Sequence, residues 1–389
     1  VLTLPPFRLE AFFARWEFRA RHHLTASDGQ TVTVRELLEL AGADPAELAD
    51  LPLGYVPTPG GERLRSAVAA TYSQTVTEQD VLAFAGAEEA LFHALAELLG
   101  PGDHAIVTVP NYQAMESVPI ATGAEVTGLP LWTGTGDDLR WTLDVDRVAA
   151  ALRPTTKVVA VNFPNNPTGF VPGHDAWLAV ARLCQERGVV LFSDEVYRGV
   201  EADPVRTLPP AVEVCATGLS LDVTSKSLGL PGLRVGWLVG RDRALLGRIE
   251  GRKHWTSICN AGPSELLATY AVRNAGALRG RLRAVLDENT KTFDAFFAEH
   301  ADLVAWQPPD GGCVAFPRYR GADGVEAFCA DLLAERGVLL LPASLYVSEL
   351  APVPADRFRI GLGRRDPGPA LAELDAFLRE RRRAGRPGA

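Results

Sequence analysis

Between residues 80 and 240 the chain alternates short apolar runs with helix-periodic stretches, and most of the runs lack polar alternation. "VLAFA" (81–85) precedes the amphipathic "EEALFHALAELL" (88–99). "HAIVTV" (104–109), "TKVVAVNF" (156–163), "VVLFSD" (189–194) and "LRVGWLVG" (233–240) follow. A strand that is apolar at consecutive positions needs cover on both faces, which suits a mostly parallel sheet wrapped by helices. The pattern predicts an α/β large domain over residues 41–285, with ligands collecting at the C-terminal ends of its strands. A long helical stretch (264–300) then leads into "GGCVAFPRY", a helix near 324–335, "GVLLLPASLY", "RFRIGLG" and a final Arg-rich helix. These elements predict a smaller α+β domain over 286–389. Residues 1–40 are expected to pack with it and to approach the substrate.

Net charge is −9 with no basic stripe, which argues against nucleic acid or an anionic membrane as partner. No apolar run approaches the roughly 18–20 residues of a membrane span. The N-terminal "VLTLPPFRLEAFFARWEF" lacks the ordered regions of a signal peptide. Five scattered cysteines (Cys184, Cys215, Cys259, Cys313, Cys329) form no CxxC and no zinc spacing. Free thiols in a reducing cytoplasm are therefore expected. His22 and His23 are adjacent without a supporting carboxylate and read as a solvated pair rather than metal ligands. No GxGxxG follows the first strand, which argues against a nicotinamide dehydrogenase.

The chain holds 39 Lys+Arg, yet only four are lysine: Lys157, Lys226, Lys253 and Lys291. Lys226 lies in "TSKSLGLPGLRVGW" (224–237), between two serines and ahead of a Gly/Pro turn and Arg234. A partly desolvated primary amine can condense with a carbonyl and serve as a base, which a guanidinium cannot. Other residues give it company. Gly86-Ala87-Glu88 stand between a strand and a helix, where free N–H groups favour an anion. "NFPNNPTG" (162–169) follows a strand and can aim Asn165 or Asn166 into a cleft. Asp194 ends an apolar strand, where a carboxylate is expensive without a cationic or hydrogen-bonding partner; Tyr197 follows three residues later. Taken singly, each has an ordinary explanation: a loop lysine, a strand-to-helix turn, a Pro turn, a helix cap. The combination and its order carry the signal.

With "NNPTG", "SDEVY", "SKSLGLPGLRVGW" and "FRIGLGR" in sequence, the chain resembles the class I/II aminotransferases, fold type I enzymes that use pyridoxal 5′-phosphate. The resemblance covers most of residues 50–365. It implies that Lys226 carries the cofactor as a Schiff base and later shuttles a proton, and that Asp194 pairs with the protonated ring nitrogen. It implies that Tyr197 and Asn166 bond the phenolic oxygen and that Tyr112, in "VPNYQ", stacks on the ring. Gly86, Ala87, Glu88, Ser225 and Arg234 would surround the phosphate. Arg359 would fork the substrate α-carboxylate, near Asn166. Tyr55 would reach the phosphate of a neighbouring subunit, which implies a homodimer acting on a small amino acid substrate.

Three features depart from the family pattern. Glu88 stands where Thr or Ser is usual, so its side chain is expected to turn away from the phosphate. Val223 replaces a usual serine. "LTASDGQTV" (24–32) replaces the usual Gly-x-Pro loop, so Ser27 and Asp28 are expected to help set specificity. "WEF" (16–18) and "SICNAGPSE" (257–265) are more similar to specialised enzymes of antibiotic biosynthesis, of the capreomycidine-synthase and lincosamide S-conjugate kinds. Transamination is the leading expectation. Elimination from an S-conjugate (a C–S lyase), decarboxylation-coupled oxidative deamination, and elimination with cyclisation use the same lysine, aspartate and arginine. A PLP-responsive module of a transcription factor would carry a winged-helix domain ahead of the fold. A fold starting almost at residue 1, with a −9 charge, is expected to be an enzyme instead.

Overall fold

A computed structural model describes residues 3–384. Residues 1–2 and 385–389 of the expected 1–40 and 286–389 segments lie outside the described residues. Seven strands form the central sheet: β1 (Val81–Phe84), β2 (His104–Val109), β3 (Glu125–Pro130), β4 (Thr156–Asn162), β5 (Val190–Asp194), β6 (Gly218–Val223) and β7 (Gly236–Gly240). Their order is β1-β7-β6-β5-β4-β2-β3. β7 runs antiparallel to both neighbours, and every other pairing is parallel.

The uniform apolarity of these strands has a direct cause. Alternate residues point to opposite faces, and helices cover both. Val158 and Ala160 pack beneath helix Ala87–Leu98, while Val159 and Val161 meet Trp177 and Val180 of helix His174–Arg187. Two strands were not anticipated from the sequence. β3 is an edge strand and mostly not fully buried. β6 reads "GLSLDV" because its polar residues have buried partners: Ser220 donates to Glu195, and Asp222 pairs with Arg279.

Helix Ala275–Glu299 leads into the smaller unit, where Val314–Ala315, Phe358–Gly361 and Leu341–Pro342 form a three-stranded sheet. Phe293, Phe297, Phe328, Phe358 and Phe377 fill its core. The first 40 residues divide. Helix Arg8–Trp16 lies near the turn Ala343–Tyr346, and His22–His23 pairs with Val338–Leu339. Helix Val34–Ala41 instead packs on Gly262–Arg273 of the large unit. Its Thr33–Glu36 capping box fixes where it starts. The segment between them, residues 24–32, crosses the ends of the parallel strands and so borders the site. No helix among the described residues is long and apolar enough to cross a membrane. No cluster of potential metal ligands occurs among them.

Candidate active site

The C-terminal ends of β4, β5 and β6 deliver Asn162, Asp194 and the Val223–Lys226 turn to one cavity of about 820 Å³. Parallel strands place their carboxyl ends at a common edge, so three chain-distant motifs meet there without any local sequence link. Ser27, Asp28, Ala87, Glu88, Tyr112, Asn166, Tyr197, Ser225, Arg234 and Arg359 also line it.

Lys226 is half-buried and lines this cavity. Its Nζ donates to Ser27 Oγ at 2.8 Å. Burial lowers its pKa; Asp28 opposes that shift and Arg359 adds to it. The amine is therefore easier to obtain in its neutral, nucleophilic form. Asp194 is buried at the end of β5 and accepts only from the backbone N–H of Val196, at 3.2 Å, among the described residues. No lysine or arginine among them forms an ion pair with it. Burial, with Asp222 adding negative charge, pushes its carboxyl up to about 7. Such a group calls for a cation.

Arg359 is fully buried. Its Nη1 donates to Asn166 Oδ1 at 3.0 Å and its Nη2 to the carbonyl of Thr25 at 2.8 Å. Its Nε has no partner, although it is buried. A buried donor left open is costly unless a ligand accepts from it. Because Arg359 occupies the Asn166 oxygen, the Asn166 amide N–H groups are left to face the cavity.

Around Gly86 the backbone makes an anion cradle. Gly86 adopts φ +97°, a conformation that L side chains rarely take, and a Cβ there would crowd the Arg234 guanidinium. A Cβ on Gly236 would meet the Gly86 carbonyl carbon at 2.7 Å. Both positions therefore require glycine for close approach. Helix Ala87–Leu98 starts here with no side-chain cap, so its first N–H groups remain available. Arg234 Nη1 donates to Ser225 Oγ at 3.3 Å, which sets guanidinium and hydroxyl on one side of the cradle.

Some expected residues behave differently from the expectation. Glu88 does not turn away; its carboxyl faces the cavity beside Tyr112 and is pushed up to about 7 by burial, then by Glu10. Tyr197 donates to the Ser27 carbonyl at 2.7 Å, tying the N-terminal crossing segment down. Tyr112 donates to Glu10 Oε1 at 2.9 Å, with the Phe7 ring 5.0 Å away. Asp28 is held by Arg364 at 2.7 Å. Tyr55 lies outside this cavity and is 92 % exposed.

Sequence reasoning missed Glu10, Phe13, Glu17 and Arg364, all of which line the cavity. It also passed over Lys253, although the scarcity of lysine that singles out Lys226 applies equally there. Lys253 is fully buried, and its Nζ donates to Thr58 O (2.7 Å), Ala83 O (2.8 Å) and Asn260 Oδ1 (2.9 Å). A compact ammonium offers three donors to three converging acceptors, which a planar guanidinium does not. It thus ties the loop carrying Tyr55 and the "SICNAGPSE" segment to the end of β1; that segment contributes nothing to the cavity lining. Lys253→Met leaves all three acceptors unpaired and is expected to cost about 2–4 kcal/mol. Urea unfolding checks this: a midpoint unchanged from the parent would remove the tie.

Residues 27–367 match the family model described as aminotransferase class I and II. Capreomycidine synthase from Streptomyces vinaceus is 32% identical, over 98% of this chain and 97% of its own. A crystal structure of a PLP-dependent aminotransferase from Streptococcus suis superposes with a TM-score of 0.88 at 28% identity, covering 97% of this chain and 98% of that one. The PLP-dependent cyclase OrfR gives a TM-score of 0.86 at 29% identity, with the same coverage.

Proposed function

The chain belongs to the class I and II aminotransferases, and from that premise we propose that it is an aminotransferase acting at the α-carbon of an amino acid held by Arg359, with its cofactor on Lys226. Pyridoxal 5′-phosphate is that cofactor. When bound, it supplies an aldehyde that condenses with amines and a conjugated ring that accepts electrons from a bond at the α-carbon.

The residues present fit this group. Asp194, buried without a counter-ion, would hold a protonated ring nitrogen. Ser225, Arg234 and the open N–H groups after Gly86 would hold the phosphate. Tyr112 lines the cavity as the expected ring-stacking residue, with Ala87 and Glu88 beside it. Asn166 would donate to the phenolic oxygen; Tyr197 must exchange its bond to Ser27 to do the same.

The chain's own residues then act on the substrate. Arg359, whose guanidinium lines the cavity, would fix the α-carboxylate, and with it which α-carbon bond stands toward Lys226. Lys226, its ammonium disfavoured by burial, takes the α-proton at Nζ and returns it. Ser27 and Asp28 border the substrate, and Ser27 Oγ receives the Nζ hydrogen bond in the absence of other partners. The single observation that carries this reading is one cavity lined by Lys226, the buried Asp194 with no ion-pair partner among the described residues, and the guanidinium of Arg359.

A second reading, elimination with ring closure, is favoured by one observation: the similarity to capreomycidine synthase spans nearly the whole of both chains. We further propose a homodimer in the cytoplasm, with Tyr55 reaching the neighbouring site and the enzyme serving an antibiotic pathway. Support comes from Leu53, Tyr55 and Trp255, 85–92 % exposed on the two loops tied by Lys253. The cysteines, none of them in a disulfide, support a reducing compartment.

The test starts from the yellow holoenzyme. Borohydride reduction followed by peptide mapping is expected to find the cofactor on Lys226. Amino acids are then added in turn. Pyridoxamine phosphate with a keto acid supports aminotransfer. A ring-closed product, with the cofactor recovered as the aldehyde, supports the second reading. Cofactor mapped to another lysine overturns both.

A further inference from the structure

The cavity is lined by five acidic side chains (Glu10, Glu17, Asp28, Glu88, Asp194) and four cationic ones (Lys226, Arg234, Arg359, Arg364). Under the functional reading above, on which this inference rests, most have work already. Arg234 answers the phosphate, Arg359 the α-carboxylate, and Asp194 the ring nitrogen. Asp28 and Arg364 satisfy each other through two contacts, at 2.7 and 3.3 Å. The amine of Lys226 is consumed by the cofactor. Three carboxylates remain with no cation assigned: Glu10, Glu17 and Glu88.

Their placement is ordered. Glu10, Phe13 and Glu17 lie on or just after helix Arg8–Trp16 at i, i+3 and i+7, a spacing that puts them on one helix face. All three line the cavity, as does Phe18 beside Glu17. Glu88 stands at the start of the helix beyond β1, close enough to Glu10 that, after burial, the Glu10 carboxylate adds to the rise in its pKa. Glu17 is likewise raised, by burial first and then by Asp28 and Glu10. The nearby imidazole of His23 gives no compensation, because burial lowers its pKa and favours the neutral ring. Phe7, Phe13, Phe18 and Tyr112 supply aromatic surface among these acids. Carboxylates interleaved with aromatic rings attract an organic cation through ion pairing, ring quadrupoles and cover for a methylene stem. An anionic side chain would instead face three carboxyl groups and would find no donor among them once they are ionised.

We propose that the substrate side chain ends in a cation, an amine or guanidinium, received among Glu10, Glu17 and Glu88 on the cavity wall. Matched pairs of amino acids test this on the holoenzyme: arginine against citrulline, lysine against norleucine, with glutamate as the opposite charge. The readout is the rate and amplitude of the cofactor's spectral change. The cationic member of each pair is expected to give a kcat/KM at least about 10-fold above its neutral partner, with glutamate lowest. Glu17→Gln is expected to shrink that preference by lowering kcat/KM for arginine and lysine more than for citrulline and norleucine, and Glu10→Gln to do the same on top of a uniform loss from its bond to Tyr112. Calorimetry on the cofactor-free chain gives a second readout, in which arginine binds more tightly than citrulline and loses that advantage in the glutamine variants. Equal response to cationic and neutral partners, or a loss in the variants that is the same for every substrate, would overturn the proposal and leave the amino acid reading standing. No spectral response to any amino acid would overturn the functional reading itself, and this inference with it.

Discussion

Lys226→Ala is expected to lower turnover by at least about 10³-fold while the chain still folds. Both halves follow from the geometry. The amine is the one lysine lining the cavity among the described residues, and proton transfer by a placed base alone contributes roughly 10²–10⁴-fold. Arginine or histidine at this position cannot restore the condensation. The fold half rests on what Nζ touches: a single hydrogen bond, to Ser27 Oγ, and no ion pair among the described residues. Burial already disfavours its charge, so removing the ammonium also removes a desolvation cost. Steady-state turnover and a thermal melt check the two halves together. Activity within about 10-fold of the parent would sink the assignment of the amine. A melt that loses its cooperative transition would sink the claim that Lys226 serves chemistry rather than packing. The expected variant binds the cofactor without a covalent link, so its absorbance should shift toward that of the free aldehyde.

The sequence carried the α/β core and the motif residues for a physical reason. Strands buried on both faces leave unbroken apolar runs, and the polar residues that end them stand out. Asp194 closes "VVLFSD", Asn162 closes the apolar run of β4, and Lys226 follows β6 by three residues. β6 itself was not legible, because Ser220 and Asp222 break its apolar run and their partners, Glu195 and Arg279, lie far along the chain. Edge strand β3 carries polar positions for the opposite reason, that one side of it meets solvent. The substrate side of the cavity was the least legible part. Glu10 is brought to Tyr112 across 102 residues, Ser27 to Lys226 across 199, and Thr25 to Arg359 across 334. No local spacing encodes such approaches. Helix Arg8–Trp16 reads as an ordinary amphipathic segment until the fold lays it over the site. Glu88 shows the converse. Its position in the chain was plain, but its orientation depended on Tyr112 and the open cavity, which only the assembled structure provides.

Asp194→Asn is expected to cut turnover by roughly 10²–10³-fold and to flatten the pH dependence of the cofactor-free chain's stability. Asparagine matches aspartate in size and keeps an oxygen to accept from the Val196 N–H, so the change is one of charge. Without the carboxylate a cationic ring nitrogen has no counter-ion in a buried site, and losing one member of such a pair costs about 3–5 kcal/mol. The stability effect has the opposite origin. In the cofactor-free chain burial pushes Asp194 up to about 7, well above the ordinary carboxylate range of the unfolded chain. Between about pH 4 and 7 the folded state holds a proton that the unfolded state releases, so raising the pH favours unfolding across that window. Asparagine carries no such proton, and its variant should lose less stability over the same interval. A residual slope remains because Glu88 is also pushed up to about 7. In the parent, a cation set against Asp194 draws its pKa back down, so the rise in melting temperature on adding cofactor should be larger at pH 8 than at pH 5. Melting curves of both proteins, with and without cofactor, across this range decide the matter. Parallel pH profiles for the two cofactor-free chains, or a cofactor effect that shrinks toward pH 8, would show that Asp194 is not the acid waiting for a cation.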